Sequence, residues 1–187
     1  MYDNVKSSIQ QFGNFTEAQL SEIIRRLKFS TLPKGMNLVK EGDICREFYF
    51  VQKGCFRQYT ILETGIEATM NLWTEKDWMF DYKSFVTQQP AVSIIQAAED
   101  SEVFELSVWD FHELVKTSDS FFQVGRIMEQ AIQNQQFQHN RITPEEKYEL
   151  LMNSKPEILQ KFPLKHIASY LGIAPETLSR IRKKIIS

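Results

Sequence analysis

The spacing of apolar residues along this chain changes twice, from helical to strand-like and back. Leu20, Ile23, Ile24 and Leu27 follow a helical period, with Arg25, Arg26 and Lys28 on the other face. Thr16 is placed to cap that helix, and Gln19 three residues later completes a capping box. From Phe29 to about Phe80 the period shortens to that of strands. Turn signals break the text at Pro33-Lys34-Gly35, Glu41-Gly42-Asp43, Lys53-Gly54 and Glu63-Thr64-Gly65. Phe48, Phe50 and Gln52 alternate with Tyr49 and Val51. Phe56, Gln58 and Thr60 alternate in the same way with Arg57, Tyr59 and Ile61. A further strand pair follows at Ser93–Ala98 and Val103–Leu106. Short strands with glycine turns at near-regular spacing predict an antiparallel sandwich or barrel.

An irregular aromatic piece, Trp78–Pro90, interrupts the strands and predicts a short helix around Asp81–Val86. Two readings stand for it. It is a functional loop on a rigid barrel, or Trp78, Phe80, Tyr82 and Phe85 plug one end of the barrel.

From Ser107 the pattern is helical again. Val108–Leu114 forms a short amphipathic piece, and Asp119 or Ser120 starts a long helix running to about Asn140. Phe121, Gly125, Met128, Ile132, Gln135 and His139 recur at heptad-like spacing, which predicts a two-stranded coiled coil and a homodimer. The far end of this seam is polar, with Gln130, Gln133, Gln135, Gln136 and Gln138. The alternative is that the seam packs on the chain's own barrel. Thr143-Pro144-Glu145-Glu146 opens another helix, which carries Tyr148, Leu150 and Leu151 toward the C-terminal end. Pro156 starts a short helix that ends before Pro163.

The last stretch predicts two helices around a tight turn. Leu164, Ile167, Ala168 and Leu171 share one helical face, and Gly172 supplies the left-handed stop. Ile173 tucks into the turn, and Ala174-Pro175-Glu176 starts the second helix. Its apolar stripe is Leu178, Ile181 and Ile185. Thr177, Ser179, Arg180, Arg182, Lys183 and Lys184 occupy the other faces. This is the pattern of a helix-turn-helix, whose second helix enters the DNA major groove. A plain helical cap is the competing reading.

Charge favours the first of these. Residues 141–187 hold 9 Lys/Arg against 5 Asp/Glu, whereas residues 1–140 hold 13 against 19. From Lys161 onward the count is 6 basic to 1 acidic, an asymmetry suited to phosphate contacts. With 187 residues, 42% hydrophobic and 12% aromatic, the chain can fill one good-sized core and a smaller one. Cys45 and Cys55 show no metal-ligand spacing and are expected as reduced, packed thiols of a cytoplasmic protein. The N-terminal residues carry no targeting pattern, and no apolar run reaches the roughly 18 residues of a membrane span.

The order of parts resembles the cyclic-AMP-receptor/FNR family of bacterial transcription regulators, over nearly the whole chain. The most specific stretch is Ile167-Ala168, Leu171-Gly172-Ile173 and Glu176-Thr177-Leu178-Ser179-Arg180-Ile181. Glu41-Gly42-Asp43 and Lys53-Gly54 are similar to the family's barrel turns. The resemblance implies an α+β fold with a cyclic-nucleotide-binding-like β-roll over 1–118, a dimerisation helix over 119–140 and a helix-turn-helix domain over 141–187. It also implies base contacts from Glu176 and Arg180, with Pro175 where the family has a further arginine. Glutamate accepts from cytosine N4 and arginine forks onto guanine, so the retained pair is chemically sound. Thr177, Ser179, Arg182, Lys183 and Lys184 are expected on phosphates.

Where the family holds a cyclic phosphate, this chain has Phe80-Asp81 and Ala91-Val92, with Tyr82 and Lys83 beside them. Asp81 has the chemistry to accept a ribose hydroxyl, but Ala91 and Val92 offer no fork for a phosphate, and Lys83 is a poor substitute. The expectation is therefore a small-molecule effector other than cyclic AMP, or a pocket plugged by Phe80, Tyr82 and Phe85. Two cysteines also fall short of the four ligands of an iron–sulfur cluster. The helix pair is expected to lack the strands of a wing, because few residues flank it on either side.

Enzyme chemistry finds no support in the pattern. His112, His139 and His166 stand on separate segments with no ligand spacing, and no nucleophile elbow or phosphate-cradling glycine loop is present. No catalytic residue, metal or resident cofactor is expected. The expected partners are double-stranded DNA, a second copy of the chain and the unidentified effector, with no membrane. The runner-up is a sensor or protein-interaction module of the same fold whose terminal helices do not bind DNA.

Overall fold

The computed structural model describes residues 2–129, 132 and 142–186. Two helices open the chain, α1 (Asp3–Phe12) and α2 (Glu17–Arg26). The second has the expected capping box: Gln19 N–H donates to Thr16 Oγ1, and the Gln19 side chain takes the Thr16 N–H. The first, among the N-terminal residues, was not expected from the sequence. Val5, Ile9 and Phe12 face one side of it and are buried.

Eight strands follow: β1 (Lys28–Leu32), β2 (Asn37–Val39), β3 (Glu47–Lys53), β4 (Phe56–Ile61), β5 (Glu67–Trp73), β6 (Trp78–Met79), β7 (Ile94–Ala97) and β8 (Ser101–Ser107). They form two antiparallel four-stranded sheets, ordered β1-β8-β3-β6 and β2-β7-β4-β5. Helix α3 (Tyr82–Thr87) sits between β6 and β7, and α4 (Val108–Thr117) follows β8.

The central strands β3 and β4 are covered on both faces, which the strand alternation alone did not indicate. Phe48, Tyr49, Phe50 and Val51 are all buried. Phe50 lies opposite Phe104 and Trp78, and that face meets α1: Tyr2 stacks on Phe104 at 5.0 Å, and Trp78 Nε1–H donates to Ser8 Oγ at 2.9 Å. On the second sheet, Phe56 and Trp73 point into the main core, whereas Cys55 and Leu72 join a second core with the C-terminal helices.

The seam expected over 119–140 divides. Asp119–Arg126 is a 3-10 helix rather than the start of a long α-helix, and helical residues continue from Ile127 to Glu129. Phe121, Val124 and Ile127 are buried in the chain's own core, with Phe121 stacked 6.3 Å from Phe15. The tighter winding turns these residues onto one inward face, so the near end of the seam packs in cis. Gln130, Gln133, Gln135, Gln136, Gln138 and His139 lie outside the described residues.

The C-terminal part holds α5 (Pro144–Ser154), α6 (Pro156–Lys161), α7 (Leu164–Tyr170) and α8 (Pro175–Ile186). Thr143 and Glu146 form the capping box of α5. Tyr148 and Leu151 face the second core, but Leu150 points to solvent, because the helix buries only the face at their spacing. Among the described residues no helix is long and apolar enough to cross a membrane.

Candidate nucleic-acid interface and sensor pocket

The turn between α7 and α8 is fixed by its hydrogen bonds. Gly172 adopts φ +72°, its N–H donates to Ser169 O at 3.1 Å, and Ile173 N–H donates to Ala168 O at 3.0 Å. This pair of bonds needs the left-handed residue that glycine supplies without strain. Ile173 then packs its side chain against the second core. Pro175 begins α8, whose first turn closes with Leu178 N–H on Ala174 O at 3.1 Å.

Burial divides α8 cleanly. Leu178 and Ile181 are buried and Ile185 half-buried, so the helix is anchored along that stripe. Glu176, Thr177, Arg180, Arg182, Lys183 and Lys184 are exposed, and Ser179 is half-buried at the edge. The expected DNA-contacting residues therefore lie outside the buried stripe. Lys184 Nζ also lies 3.3 Å from Glu145 Oε1, an exposed pair that solvent screens heavily.

The six residues expected around an effector do not share a surface. Phe80, Asp81 and Ala91 are buried, Tyr82 is half-buried, and Lys83 and Val92 are exposed. Phe48, Phe80 and Phe85 pack ring against ring, with centroids 4.3 to 5.3 Å apart, and Phe111 meets Phe48 at 6.1 Å. The Phe80–Phe85 part of the expected plug is thus in place, while Tyr82 sits at its margin.

Asp81, which has the chemistry to accept a ribose hydroxyl, bonds instead within the chain. Its Oδ1 caps α3 by accepting from Ser84 N–H at 2.9 Å. Its Oδ2 accepts from Gln58 Nε2 at 3.1 Å and from Ser93 Oγ at 2.6 Å. Gln58 accepts in turn from Asn71 Nδ2 at 2.6 Å. A buried carboxylate needs such partners, and here the chain supplies them all internally. Ala91 is held by the main chain of the 42–43 turn, donating to Asp43 O and accepting from Gly42 N–H. The role of Gln58, a glutamine on a strand, has no mark in the sequence pattern.

A second arrangement joins the helix pair to the barrel. Ser169 Oγ on α7 accepts the Thr69 N–H of edge strand β5 at 2.9 Å. Lys155 Nζ pairs with Asp77 at 2.7 Å, and Lys161 Nζ bridges Glu75 at 2.6 Å and Glu99 at 2.7 Å. Burial opposes the Lys161 charge, but the two carboxylates outweigh it and raise its pKa to about 12. Burial likewise opposes the Glu75 charge, yet Lys161 and the Gly54 N–H hold that carboxyl below its usual range. Cys55 lies buried in the same junction, and burial pushes its thiol up to about 12. Cys45 is buried too, its thiol also raised to about 12 by burial. Both cysteines are free, as expected.

Between the β4–β5 hairpin and the helix pair lies a cleft of about 420 Å³ lined by Arg57, Glu67, Lys165, His166 and Ser169, with Ile66, Ile173 and Pro175 as apolar walls. None of its polar residues belonged to the expected site, because they come together only when the helices dock on the sheet. Among the described residues no cluster of His, Cys, Asp and Glu has a metal-binding arrangement.

Residues 29–118 match the cyclic nucleotide-binding domain. Over 179 residues the chain is 28% identical to the fumarate and nitrate reduction regulatory protein of Vibrio cholerae, covering 87% of this chain and 70% of that protein. Among solved structures, FixK2 from Bradyrhizobium japonicum superposes with a TM-score of 0.69 at 14% identity, covering 85% of this chain and 84% of that one. The catabolite activator protein of Thermus thermophilus gives 0.59 at 16% identity, over 96% and 86%. The chain is similar to regulators of the cyclic-AMP-receptor/FNR family. These relatives support a transcription regulator with a cyclic-nucleotide-binding-like domain. In the matched domain Phe80 and Asp81 are buried among the chain's own side chains, and the helix pair turns a basic face to solvent.

Proposed function

We propose that the chain is a dimeric, DNA-binding transcription regulator that reads its operator with α8. The observation that carries this is the division of α8, with its apolar stripe anchored and its polar, mostly basic face exposed. In this reading Glu176 and Arg180 contact base edges, while Thr177, Ser179, Arg182, Lys183 and Lys184 contact phosphates. Two copies paired through residues 119–140 set their α8 helices about 34 Å apart, one turn of DNA. The packing of Phe121, Val124 and Ile127 in cis leaves the exposed Phe122 and the residues beyond Ile127 to form that contact. In this reading cyclic AMP is not the effector, because Asp81 is engaged internally and no arginine stands at Ala91 or Val92.

A second reading, a module whose terminal helices make protein contacts, draws on the core that those helices share with the barrel. Selection of bound sequences from a random DNA pool separates the two. A two-fold symmetric motif is expected; a pool that enriches no motif favours the protein-contact reading.

A further inference from the structure

We propose that a cleft at one end of the first sheet, between the β1–β2 turn, the end of β3 and the β7–β8 turn, binds a basic amino acid. Thr31, Leu32, Pro33, Lys53, Asp100 and Glu102 line it together with Ser101. Its volume of about 340 Å³ lies within the range of roughly 300–1,000 Å³ typical of small-molecule sites. It shares no residue with the α3 end of the barrel or with the cleft beside the helix pair.

The proposal rests on charges that face one another without pairing. Glu102 stands opposite both Thr31 on β1 and Lys53 at the end of β3. Opposite charges at facing ladder positions ordinarily attract each other. Among the described residues, however, Lys53 and Glu102 form no ion pair, and neither side chain makes a hydrogen bond. Asp100 commits one oxygen to the main chain, with Oδ1 accepting the Lys34 N–H at 2.8 Å, which leaves Oδ2 unbonded.

The walls therefore offer two carboxylates and one ammonium. A ligand that answers all three carries two cationic groups and one carboxylate, which is the set found on a basic α-amino acid. Lys53 takes its carboxylate, and Glu102 and Asp100 take the two cations. Thr31 adds a hydroxyl that can donate or accept. Leu32 and Pro33 give apolar contact to the methylene stem. A neutral amino acid would leave one wall carboxylate unanswered.

The frame of the cleft is held by the chain itself. Gly54 keeps φ +94° against Ser101, where any Cβ would collide with that side chain, and Ser101 Oγ donates to Glu99 O at 2.7 Å. The same two segments reach the junction with the C-terminal helices. Gly54 N–H donates to Glu75 Oε1 at 2.9 Å, and Lys161 joins Glu75 to Glu99. An occupant therefore sits beside the contacts that hold α6 to the barrel. The binding claim stands without DNA; only a consequence for the helix pair rests on the DNA reading.

The test follows the backbone amide signals of the full chain by NMR during titration with L-lysine, L-norleucine and cadaverine. L-Norleucine lacks the side-chain ammonium, and cadaverine lacks the carboxylate. The expected result is a saturable shift at Thr31, Lys53, Ser101 and Glu102 with millimolar L-lysine. L-Norleucine and cadaverine should each bind roughly three- to five-fold more weakly, the size of one solvent-screened charge pair. Lys53 is exposed and Glu102 half-buried, so Lys53→Gln and Glu102→Gln leave the core untouched. Lys53→Gln should bring L-lysine down to the affinity of cadaverine without weakening cadaverine, whereas Glu102→Gln should weaken all three. The proposal is overturned if no signal saturates, if the three compounds bind alike, or if Lys53→Gln keeps the preference for L-lysine over cadaverine. Shifts spread evenly over exposed carboxylates, with no set gathered at this cleft, also overturn it. Binding of L-lysine here by a chain that selects no DNA motif leaves the site standing and removes the DNA reading.

Discussion

The α3 end of the barrel and the exposed face of α8 hold similar polar side chains and use them in opposite ways. Around α3, Asp81, Gln58, Ser84, Ser93 and Asn71 are bonded to one another or to nearby main chain. Along α8, Glu176, Thr177, Arg180 and Arg182 point to solvent. A buried polar group must find a partner, so the first set stabilises the fold and offers little to a ligand. Exposed groups on a rigid helix carry no such demand and are available for recognition. Residue type alone would have ranked Asp81 beside Glu176; burial separates them.

The sharpest way to break this comparison is to loosen the α3 end. Phe48 is fully buried among Phe80, Phe85 and Phe111. Phe48→Ala should cost about 3–5 kcal/mol of stability by chemical denaturation. A loss under about 1 kcal/mol would mean that the aromatic cluster is soft and that a ligand could displace it.

A smaller loss is expected when the polar network loses its centre. Asp81→Ala removes the acceptor of Ser84 N–H, Gln58 Nε2 and Ser93 Oγ, which leaves buried donors unsatisfied and should cost about 2–3 kcal/mol. Titration of the parent chain with cyclic AMP should show no binding; micromolar affinity would place a ligand where the network now sits.

On α8 the effects should reverse. Arg180→Ala should leave stability within about 0.5 kcal/mol, since its side chain is exposed. DNA affinity should fall by about 1–3 kcal/mol with relaxed preference at one base position, measured by competition binding at fixed salt. Unchanged binding and specificity would remove Arg180 from the base-reading set.

How much of this was legible in the sequence follows from the range of the interactions involved. The capping boxes at Thr16 and Thr143, the Gly172 turn and the stripe of α8 rest on residues a few positions apart, and local pattern conveys them. Helix α1 was also written locally, in Val5, Ile9 and Phe12, though Asp3, Asn4, Lys6 and Gln10 around them give the stretch a polar appearance. The two-faced burial of β3 and β4 was not local, because α1 covers one sheet and the C-terminal helices cover the other. For the same reason Arg57 and Gln58, neighbours on one strand, could not be told apart. Gln58 turns inward to Asp81, and Arg57 turns outward to the cleft.

The smallest expected effect concerns the contact that joins the two regions. Lys161 bridges Glu75 and Glu99 but remains partly exposed, as do both carboxylates. Solvent screening therefore limits Lys161→Gln to about 1 kcal/mol or less. The raised pKa of Lys161 means that its contribution is complete below the unfolded lysine value and lost only as pH climbs through about 12. The lowered pKa of Glu75 means that its contribution is complete above the unfolded carboxylate value and lost as pH falls through the lower folded one. Thermal melts of parent and variant should accordingly differ by the same small amount at neutral and mildly alkaline pH. They should converge in acid, and also in about 1 M salt, where the screening length shrinks to roughly 3 Å. A difference that survives both conditions would show that Lys161 acts through the packing of its aliphatic stem in the junction, and the helix pair would then be held to the barrel by apolar contact rather than by charge.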